Sequence, residues 1–563
     1  MSKTRTKRDL AAIGGGPVSV DEAIDAVASG KASGRFETLY GGDADLIEDR
    51  QATYLRALRA FRRQYGADRG VILVRAPARI NLMGVHVEHR RGEVNYVTHR
   101  REILMIAEPR DDDTVVMNNI SGAFPERTFS IAKELKRARH TDWLKYIDSA
   151  RVNAALEEAR GDWVNYVKSA VLRLQFLSRR KRLCGMNLMV AGDIPQSAGL
   201  SSSSALVVTS ALATVNLNGL KISRGDLSVL CGEGEWYVGT RGGAGDHAAM
   251  IMGRRGYVSH LRFFPFELLQ YVPLPTSHSV VICNSLRRAK KSGDELSAYN
   301  ETIAAYGTVL MLMKDILEKH FGYSRSWLNR HVKHLGDFNL DRKRFPDGLL
   351  YQVLQHMPTR ISRRELRNRL PHEAAALRRT FRTHNNPADG YRARAVGMFG
   401  LAEIARGAAC VVPLKKRDYK RFGRLMYISH DGDRIVRHEG RRKVAWDNET
   451  TQVTDAYLDR LIRATRSRTK SRRDAAGLMM QPGGYRCSSM ELDRLVDIAA
   501  DVPGVAGAGL TGAGFGGAVL VLVRNQNVPD LLAAIRKRYY RPKGLPFAAE
   551  VCHSVAGAGI VDL

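Results

Sequence analysis

Four consecutive serines follow a glycine and a leucine at a point where a flexible linker would be out of place. The segment PQSAGLSSSSAL (195–206) separates a strand-like stretch, GMNLMVAGDIP (185–195), from a helix-like stretch, ALVVTSALATVNL (205–217). A helix start carries backbone N–H groups without intrahelical partners, and the helix dipole adds positive charge there. The segment therefore predicts a strand, an anion-binding loop and a helix in a mixed α and β domain.

The serines of this loop, Ser201–Ser204, would add hydroxyl donors to the backbone amides. One hydroxyl would also suit Mg²⁺, which prefers oxygen ligands. The loop is not a Walker P-loop, because no GxxxxGK[ST] pattern occurs around it. A helix cap followed by solvated serines is the alternative, and it stays open at this point.

A second glycine-rich loop, LTGAGFGG (510–517), contains the spacing of a dinucleotide-binding fingerprint. That fingerprint needs a strand directly before its glycines, whereas here the apolar strand AVLVLV (518–523) follows them. The order disfavours a Rossmann oxidoreductase, and the glycines still allow the backbone to approach a ligand closely.

The segment RAPARINLMGVHVEHRRG (75–92) predicts a strand that runs into a polar turn. The strand and turn carry Arg79, His86, Glu88 and His89, a spacing that suits a cluster of sugar hydroxyls. An ordinary charged surface turn is the alternative.

Asp246 lies between a glycine-rich stretch and a predicted helix, in VGTRGGAGDHAAM (238–250). An N-cap is the commonest role for aspartate at such a place. A catalytic carboxylate near a phosphate is the other possibility that the pattern allows.

Strand and helix patterns alternate along the chain, which favours an α/β or α+β fold. The predicted strands are at 71–84, 93–110, 114–120, 185–195, 280–283 and 518–523, with a final strand after a helix near 528–538. The other predicted helices are at 44–65, 163–178, 205–217 and 299–318.

The chain is strongly basic, with 88 Lys and Arg against 58 Asp and Glu in 563 residues, or a formal charge of +30. Such a field attracts nucleic acid, anionic membranes or phosphorylated and carboxylated metabolites, and does not identify a fold.

No stretch offers about 20 consecutive apolar residues, so a membrane span is not expected. Six well-separated cysteines without a CxxC pair indicate a reducing compartment, and the absence of an apolar leader fits the cytoplasm.

Four elements occur in the order found in one family: the strand and turn at 75–92, the loop at 195–206, the segment with Asp246 at 238–250 and the loop at 507–523. The strand and turn at 75–92, the loop at 195–206 and the loop at 507–523 resemble the three motifs of the GHMP kinases. Three further segments, ICNSLRRAKKSGDELSAYN (282–300), FGRLMYISHDG (422–432) and YRCSSMELDRLVDIA (485–499), resemble galactokinase-like sugar 1-kinases. The resemblance covers most of the chain, about 40–310 and 390–525.

The resemblance implies an α+β fold of two lobes. An N-terminal domain like ribosomal protein S5 (36–272) would precede a ferredoxin-like C-terminal domain (273–563), after a flexible basic arm (1–35). Two basic regions, about 320–385 and 434–475, are expected to be insertions, because the periodic core pattern stops and resumes around them. ATP and sugar would meet between the lobes.

The resemblance also implies transfer of the ATP γ-phosphoryl group to the anomeric hydroxyl of a sugar, with Mg²⁺ as cofactor. Asp246 would act as the acid/base group, or align the sugar O1–H, and Arg79 would keep Asp246 charged and stabilise the transferring group. Ser203 is the expected Mg²⁺ hydroxyl, with Ser202 and Ser204 hard to exclude, and Glu235 is a candidate second ligand.

The remaining site residues fall into two groups by their expected ligand. The group expected around the sugar is Val85, His86, Glu88, His89 and Gly243. The group expected around the phosphates is Gly199, Ser201, Ser202, Ser203, Ser204, Gly512, Gly514 and Gly516.

The sugar turn departs from the usual galactokinase pattern Glu-His-Thr-Asp, since it carries Val85-His86-Val87-Glu88. Loss of the first acid removes an expected partner of the sugar 6-hydroxyl, and the turn is closest to that of galacturonokinases. An apolar residue with His or Arg nearby would permit a sugar carboxylate, which an acidic side chain would repel. Galacturonate is therefore favoured, L-arabinose would also fit, and a galactose site with a repositioned contact remains open.

Sensors, other small-molecule kinases and nucleic-acid-binding proteins are the alternatives to a sugar kinase. Some galactokinase-like proteins are sensors or regulators that bind sugar and ATP without turnover, but this chain keeps Asp246 and Arg79. Mevalonate- or homoserine-type kinases lack the late segments seen here. Nucleic acid is not expected as a partner, and a monomer is the family-typical state.

Overall fold

Two β-sheets, each covered by helices, organise the chain. The structure, a computed structural model, describes residues 15–135, 142–178, 181–196, 198–239, 242–287, 294–440 and 442–563. The larger sheet is built mainly from the first half of the chain, and the smaller one from the second half.

The larger sheet follows the order β1-β2-β3-β6-β4-β5, with β15 paired to β2, and β7 joining β3 to β8. Its strands are β1 Val18–Ser19, β2 Gly70–Met83, β3 Glu93–Pro109, β4 Thr114–Asn119, β5 Arg127–Ser130, β6 Met186–Gly192, β7 Tyr257–Arg262, β8 Glu267–Pro273 and β15 Gly559–Val561. The pairs are antiparallel except β4 with β6, which is parallel. The helices of this half are α1 Val20–Ala28, α2 Ser33–Tyr40, α3 Ala44–Tyr65, α4 Ile131–Leu135, α5 Trp143–Ile147, α6 Ala150–Glu158, α7 Val164–Leu177, α8 Ser202–Leu217, α9 Arg224–Glu235 and α10 Gly245–Ile251.

Strand β2 is apolar at successive positions because helices cover both faces of its sheet. Val71 and Leu73 pack in the core under α1–α3, whereas Ile72 and Val74 pack in the core with α7 and α8. The alternation sandwiches the sheet between two helical layers.

The smaller sheet has the order β12-β13-β9-β14 and is antiparallel throughout. Its strands are β9 His278–Asn284, β12 Val505–Thr511, β13 Ala518–Arg524 and β14 Ala549–Val551, and a separate hairpin is formed by β10 Val436–Glu439 and β11 Arg442–Ala445. The helices of this half are α11 Asp294–Phe321, α12 Arg325–His331, α13 Asp337–Leu340, α14 Asp347–His356, α15 Arg363–Arg369, α16 Ala374–Phe381, α17 Ala393–Ala409, α18 Val411–Lys415, α19 Tyr419–Asp433, α20 Asp455–Thr465, α21 Lys470–Ala475, α22 Met490–Ala500 and α23 Val528–Ile535.

The prediction of a loose arm over 1–35 is wrong for the described part, residues 15–35. Ser19 caps α1 by accepting from the Glu22 N–H, while the Glu22 carboxylate accepts from the Ser19 N–H. Val20 and Val27 of α1 are buried against α3. Tertiary packing therefore holds a short helix that its polar neighbourhood concealed. Residues 1–14 of the predicted arm lie outside the described residues.

The first basic region, 320–385, is expected from the sequence to interrupt the core pattern, but its apolar residues are part of the core. Its apolar residues, Leu328 and Phe345 among them, belong to the same core as α11 and α17. Part of its charge is internal, because Arg369 pairs with the fully buried Asp315 at 3.1 Å. The second region, 434–475, forms the β10–β11 hairpin and the helices α20 and α21.

The predicted strands and helices are confirmed at their positions, most within a few residues. The helix predicted at 44–65 spans Ala44–Tyr65, and the strand predicted at 71–84 spans Gly70–Met83. All six cysteines are unpaired. Ala393–Lys415 is long and apolar enough to cross a membrane by length and composition, but 78% of its most apolar window is buried inside the molecule, as in a core helix.

Candidate functional site

One cavity of about 790 Å³ brings together the segments that the sequence singled out. All of the predicted site residues except Val85 line it: Arg79, His86, Glu88, His89, Gly199, Ser201, Ser202, Ser203, Ser204, Glu235, Gly243, Asp246, Gly512, Gly514 and Gly516. Residues that lie far apart in the chain thus form one continuous wall.

The start of α8 is shaped by two residues with positive φ. Gly199 has φ +74°, and Ser201, the N-cap residue, has φ +61°. Ser201 makes no side-chain cap hydrogen bond, and its hydroxyl instead donates to Asp246 Oδ2 at 2.5 Å. The helix-cap alternative is therefore wrong for Ser201, whose side chain belongs to the cavity wall.

The two glycine-rich loops touch through their backbones. A Cβ on Gly199 would lie 3.3 Å from the Thr511 carbonyl oxygen, and one on Gly512, whose φ is +82°, would lie 3.3 Å from the Gly199 carbonyl oxygen. Glycine at both places permits an approach that side chains would hinder. The contact joins the edge of the smaller sheet to the start of α8.

Arg79, on β2, holds Asp246 in a bidentate pair. Arg79 Nε donates to Asp246 Oδ1 at 2.7 Å and Nη2 to Oδ2 at 2.6 Å, while Nη1 donates to the Gly199 carbonyl at 2.6 Å. Asp246 lies in the first turn of α10, behind the Ala244 N-cap, so it is not the cap itself. One guanidinium thus connects the carboxylate to the loop at 195–206, called the Gly/Ser loop below.

Asp246 is held as a carboxylate by these contacts. Burial alone would raise its pKa, but the charge and hydrogen bonds of Arg79, with the Ser201 hydroxyl, lower the pKa to about 2. Its side chain keeps about one third of its surface exposed, at 32%. A charged oxygen therefore faces the cavity at neutral pH.

Glu235, at the end of α9, forms a second acidic corner. Its Oε2 accepts from the Ser204 hydroxyl at 2.9 Å and lies 2.8 Å from His247 Nε2. The serine that touches Glu235 is Ser204, while Ser203 lines the cavity beside it. Carboxylate and hydroxyl oxygens on one wall are the donors that Mg²⁺ prefers, so the residues fit this ion.

The sugar turn is fixed from the other lobe. Glu403 Oε1 accepts from the backbone N–H groups of Gly84 (2.9 Å) and Val85 (3.1 Å), and Arg406 holds its other oxygen at 2.7 Å. The turn passes through φ +88° at Gly84 and φ +63° at His86. Val85 is buried in the hydrophobic core that also contains residues of α11 and α17, and it does not line the cavity.

Glu88 packs directly against the glycines that precede Asp246. A Cβ on Gly243 would come within 2.6 Å of Glu88 Cγ, and one on Gly245 within 2.3 Å of the Tyr96 hydroxyl. Tyr96, on β3, is buried beside both acids, and burial raises the pKa of its hydroxyl well above the usual value. The sequence did not single out Tyr96, because it lies inside an apolar strand.

His89 contributes an imidazole without a hydrogen-bond partner among the described residues, and both its ring nitrogens are buried. Burial and the neighbouring Arg90 lower its pKa. Arg90 donates through Nη2 to the carbonyl of the cavity residue Ile303 at 2.7 Å, and its buried Nε has no partner among the described residues. A histidine and a fixed positive charge thus lie together at the sugar turn.

Aromatic residues that the sequence did not predict line two parts of the cavity. Tyr485 stacks on His86, with ring centroids 4.8 Å apart. Besides Tyr96, the other aromatic residues on the wall are Phe124, Trp163, Tyr166, Trp236 and Phe515. They come from separate segments, so no local spacing identified them.

Comparisons with known proteins agree with this geometry. The family "GHMP kinases N terminal domain" matches residues 165–254, "GHMP kinases C terminal" matches 461–541, and "Galactokinase galactose-binding signature" matches 59–109. The first covers the Gly/Ser loop and Asp246, and the last covers Arg79 and the sugar turn.

Similar proteins cover most of the chain. A galactokinase of Dictyostelium discoideum is 25% identical over 88% of this chain and 89% of its own length, and one of Chloroflexus aurantiacus is 26% identical over 90% and 97%. The solved structure of Lactococcus lactis galactokinase complexed with galactose matches the fold with a TM-score of 0.57 and 20% identity, over 89% of this chain and 97% of its own. The chain thus carries both GHMP kinase domains and the galactokinase galactose-binding signature, and it is a sugar kinase similar to galactokinases over most of its length.

Proposed function

We propose that this chain transfers the γ-phosphoryl group of ATP to the anomeric hydroxyl of galactose or a galactose-like sugar, with galacturonate preferred over galactose and L-arabinose next. The observation that carries the reaction is the contact between Arg79, Asp246 and Ser201 at the junction of the sugar turn and the Gly/Ser loop. An ionised carboxylate between the expected sugar and phosphate regions supports this proposal.

Asp246 is proposed to align the sugar O1–H rather than to remove its proton early. A carboxylate whose pKa is about 2 is a weak base in the resting site. Such a group still accepts a hydrogen bond from the sugar O1–H. The O1–H becomes more acidic as O1 bonds to phosphorus, and Asp246 takes its proton at that stage. Arg79 keeps the carboxylate charged and adds positive charge beside the transferring group.

The ATP phosphates are assigned to the start of α8 and the second glycine loop. The N-terminus of a long helix attracts anions, and Ser202 and Ser203 supply hydroxyls there. Gly512, Gly514 and Gly516 line the same cavity, on the loop that touches Gly199. The aromatic residues Phe124 and Trp163 suit the nucleotide base.

Mg²⁺ is assigned to the corner formed by Ser203, Ser204 and Glu235. Bound there, the ion would neutralise phosphate charge. Glu235 would supply a carboxylate, and the serine hydroxyls would complete an oxygen-rich wall.

The preference for galacturonate rests on the charges around the sugar turn. His89 has buried ring nitrogens without a hydrogen-bond partner among the described residues, with Glu88 Oε1 3.8 Å from its Nδ1, and Arg90 adds a positive charge beside it. Val85 does not line the cavity, so residue 85 would act on the sugar only from behind the turn, where a glutamate would add a second acid near Glu403. A sugar carboxylate at this turn would thus meet an imidazole N–H donor and the positive charge of Arg90.

The test of the reaction is ATP consumption with Mg²⁺ against D-galactose, D-galacturonate, L-arabinose, L-fucose and D-glucuronate, with ³¹P NMR of the product. A sugar 1-phosphate from one sugar is the expected result. Nucleotide binding without turnover on the whole panel would contradict the proposal and favour a sensor.

The test of the preference is Val85→Glu, with Val85→Leu as the matched control. The glutamate variant is expected to lose at least about 10-fold in kcat/KM on galacturonate relative to galactose, because about 1.4 kcal/mol of repulsion corresponds to that ratio. The leucine variant keeps the wild-type ratio. An unchanged ratio in Val85→Glu would show that residue 85 does not influence sugar choice.

A monomeric state and a cytoplasmic location complete the proposal. Six unpaired cysteines, four of them buried, suit a reducing compartment. Sedimentation of the purified protein would test the oligomeric state.

A further inference from the structure

Three buried side chains with metal-binding atoms converge behind the sugar turn. His86 Nε2 lies 3.1 Å from Cys487 Sγ and 3.6 Å from Asp433 Oδ2, and Cys487 Sγ lies 3.1 Å from Asp433 Oδ1. All the ligand atoms fall within 4.8 Å of one another. The side chains of Asp433 and Cys487 are fully buried, and that of His86 is 6% exposed.

The backbone of each residue is constrained where the cluster forms. His86 has φ +63° in the sugar turn, Asp433 ends α19, and Cys487 follows Arg486, whose φ is +61°. The Cys487 carbonyl accepts from the Phe515 N–H at 2.6 Å, which fixes the thiol beside the second glycine loop. Three different segments are thus anchored so that their side chains meet.

Hydrogen bonds within the cluster leave one of its buried polar atoms without a partner among the described residues. The Cys487 S–H donates to Asp433 Oδ1, but Asp433 Oδ2 is buried and has no hydrogen-bond partner among the described residues. A buried carboxylate oxygen without a partner is costly. A cation at the centre of the cluster would satisfy it.

The spacing suits a tetrahedral ion. Ligands at about 2.0–2.3 Å from Zn²⁺ lie roughly 3.3–3.6 Å from one another in a tetrahedron. His86 Nε2 lies 3.1 Å from Cys487 Sγ and 3.6 Å from Asp433 Oδ2, close to these values, and the set with one Asp433 oxygen lies within 4.8 Å, so a turn of the Asp433 carboxylate would bring all three ligands to one ion. Thiolate, carboxylate and neutral imidazole would balance a divalent ion to zero net charge, and binding would release the thiol proton.

We propose that His86, Asp433 and Cys487 bind a divalent transition-metal ion of the zinc class, in the wall of the sugar cavity. The sulfur and nitrogen ligands exclude Mg²⁺ as the preferred occupant, so this site is distinct from the oxygen-rich corner at Glu235. His86 lines the cavity, which gives the ion a path inward and leaves a fourth position for water. The ion fixes the His86 ring and links the sugar turn to α19 and to the segment at Cys487.

The experiment measures metal binding without nucleotide or sugar, so its result is independent of kinase activity. Protein stripped with a chelator is titrated with Zn²⁺ against a chromophoric competitor and, separately, with Co²⁺ by absorption spectroscopy. One ion per chain is expected, with a thiolate-to-cobalt charge-transfer band and the visible bands of a tetrahedral site.

The variants Cys487→Ser and Asp433→Asn are compared with Cys283→Ser, which changes another fully buried thiol, on β9. Loss of at least about 100-fold in Zn²⁺ affinity is expected in the first two, and none in the control. Wild-type protein that neither competes for Zn²⁺ nor gives the cobalt thiolate band would overturn the proposal, as would wild-type affinity in Cys487→Ser. If Cys487→Ser does not fold, the cobalt spectrum of the wild type and the Asp433→Asn titration decide the question.

Discussion

Strand β2 carries two buried arginine–carboxylate pairs, four residues apart, that differ in what surrounds them. Arg75 Nε donates to Glu102 Oε2 at 2.6 Å, and Arg79 makes the bidentate pair with Asp246. Residue type, strand and geometry are similar. Their surroundings differ, because only the Arg79–Asp246 pair borders the cavity where we propose that the reaction takes place.

The Arg75–Glu102 pair is closed on every side. Tyr40 donates to Glu102 Oε1 at 2.7 Å, and Arg75 Nη1 donates to the carbonyls of Ala556 and Gly557, each at 3.0 Å. Arg75 and Glu102 are 0% and 1% exposed. No face of this carboxylate is available to a ligand.

The Arg79–Asp246 pair is closed on one side only. Gly199 and Ser201 complete its inner contacts, but the Asp246 side chain remains 32% exposed at the cavity. A buried ion pair therefore indicates function here only when one oxygen faces a cavity between two ligand loops.

The largest expected effect separates the two pairs by activity. Asp246→Asn is expected to lower kcat by about 10³–10⁴-fold, because the amide neither accepts the O1 proton nor stays charged beside Arg79. Steady-state kinetics on the sugar found by the panel provides the measurement. Urea unfolding is the control, and kcat within tenfold of wild type would remove Asp246 from the reaction.

The second effect separates them by stability. Glu102→Gln is expected to destabilise the fold by about 3–5 kcal/mol, because it leaves Arg75 buried without an opposing charge. Denaturant unfolding measures the loss, and the folded fraction should retain its KM for ATP. A loss below 1 kcal/mol would mean that the closed pair does not stabilise the sheet.

A third, smaller effect tests the backbone contact that joins Arg79 to the Gly/Ser loop. Gly199→Ala is expected to lower kcat/KM for ATP by about 10-fold, because the added Cβ presses on the Thr511 carbonyl and shifts the oxygen that Arg79 holds. Gly219→Ala is the matched control: Gly219 also has positive φ (+59°), but its Cβ would meet nothing within 4 Å. Equal kinetic losses in both variants would assign the effect to backbone strain alone.

The smallest expected effect concerns pH: ionisation of Asp246 should not change kcat/KM near neutral pH. The pKa of Asp246 is lowered to about 2, so the group stays ionised above that pH, and the stability it contributes is present above its unfolded pKa of about 3.9 and is lost as pH falls toward 2. The kcat/KM profile between pH 5 and 8 should therefore show no acid limb from this residue. An acid limb that disappears in Asp246→Asn would contradict the assignment.

The sequence predicted the elements that carry their own pattern. Apolar runs located β2 and α8, and the serine run located one wall of the cavity. The arm over 15–35 was missed because α1 depends on packing against α3 rather than on local composition.

Side-chain direction in turns could not be predicted. Val85 was expected at the sugar, but the positive φ of Gly84 and of His86 turns the chain so that Val85 enters the core. The His86, Asp433 and Cys487 cluster was equally hidden, since Cys487 lies 401 positions from His86 in the chain. Only the folded topology brings such residues together.

The pairing of β15 with β2 affects the order in which this protein is completed during synthesis. Gly559–Val561 extend the larger sheet along Leu73–Arg75, and the carbonyls that Arg75 binds belong to residues 556–557. Domains generally fold as the ribosome delivers them, beginning with the N-terminal one. Here the larger sheet lacks one strand, and Arg75 two hydrogen-bond partners, until residues 556–561 have been translated, so this sheet is completed only after the strands of the smaller sheet have been made.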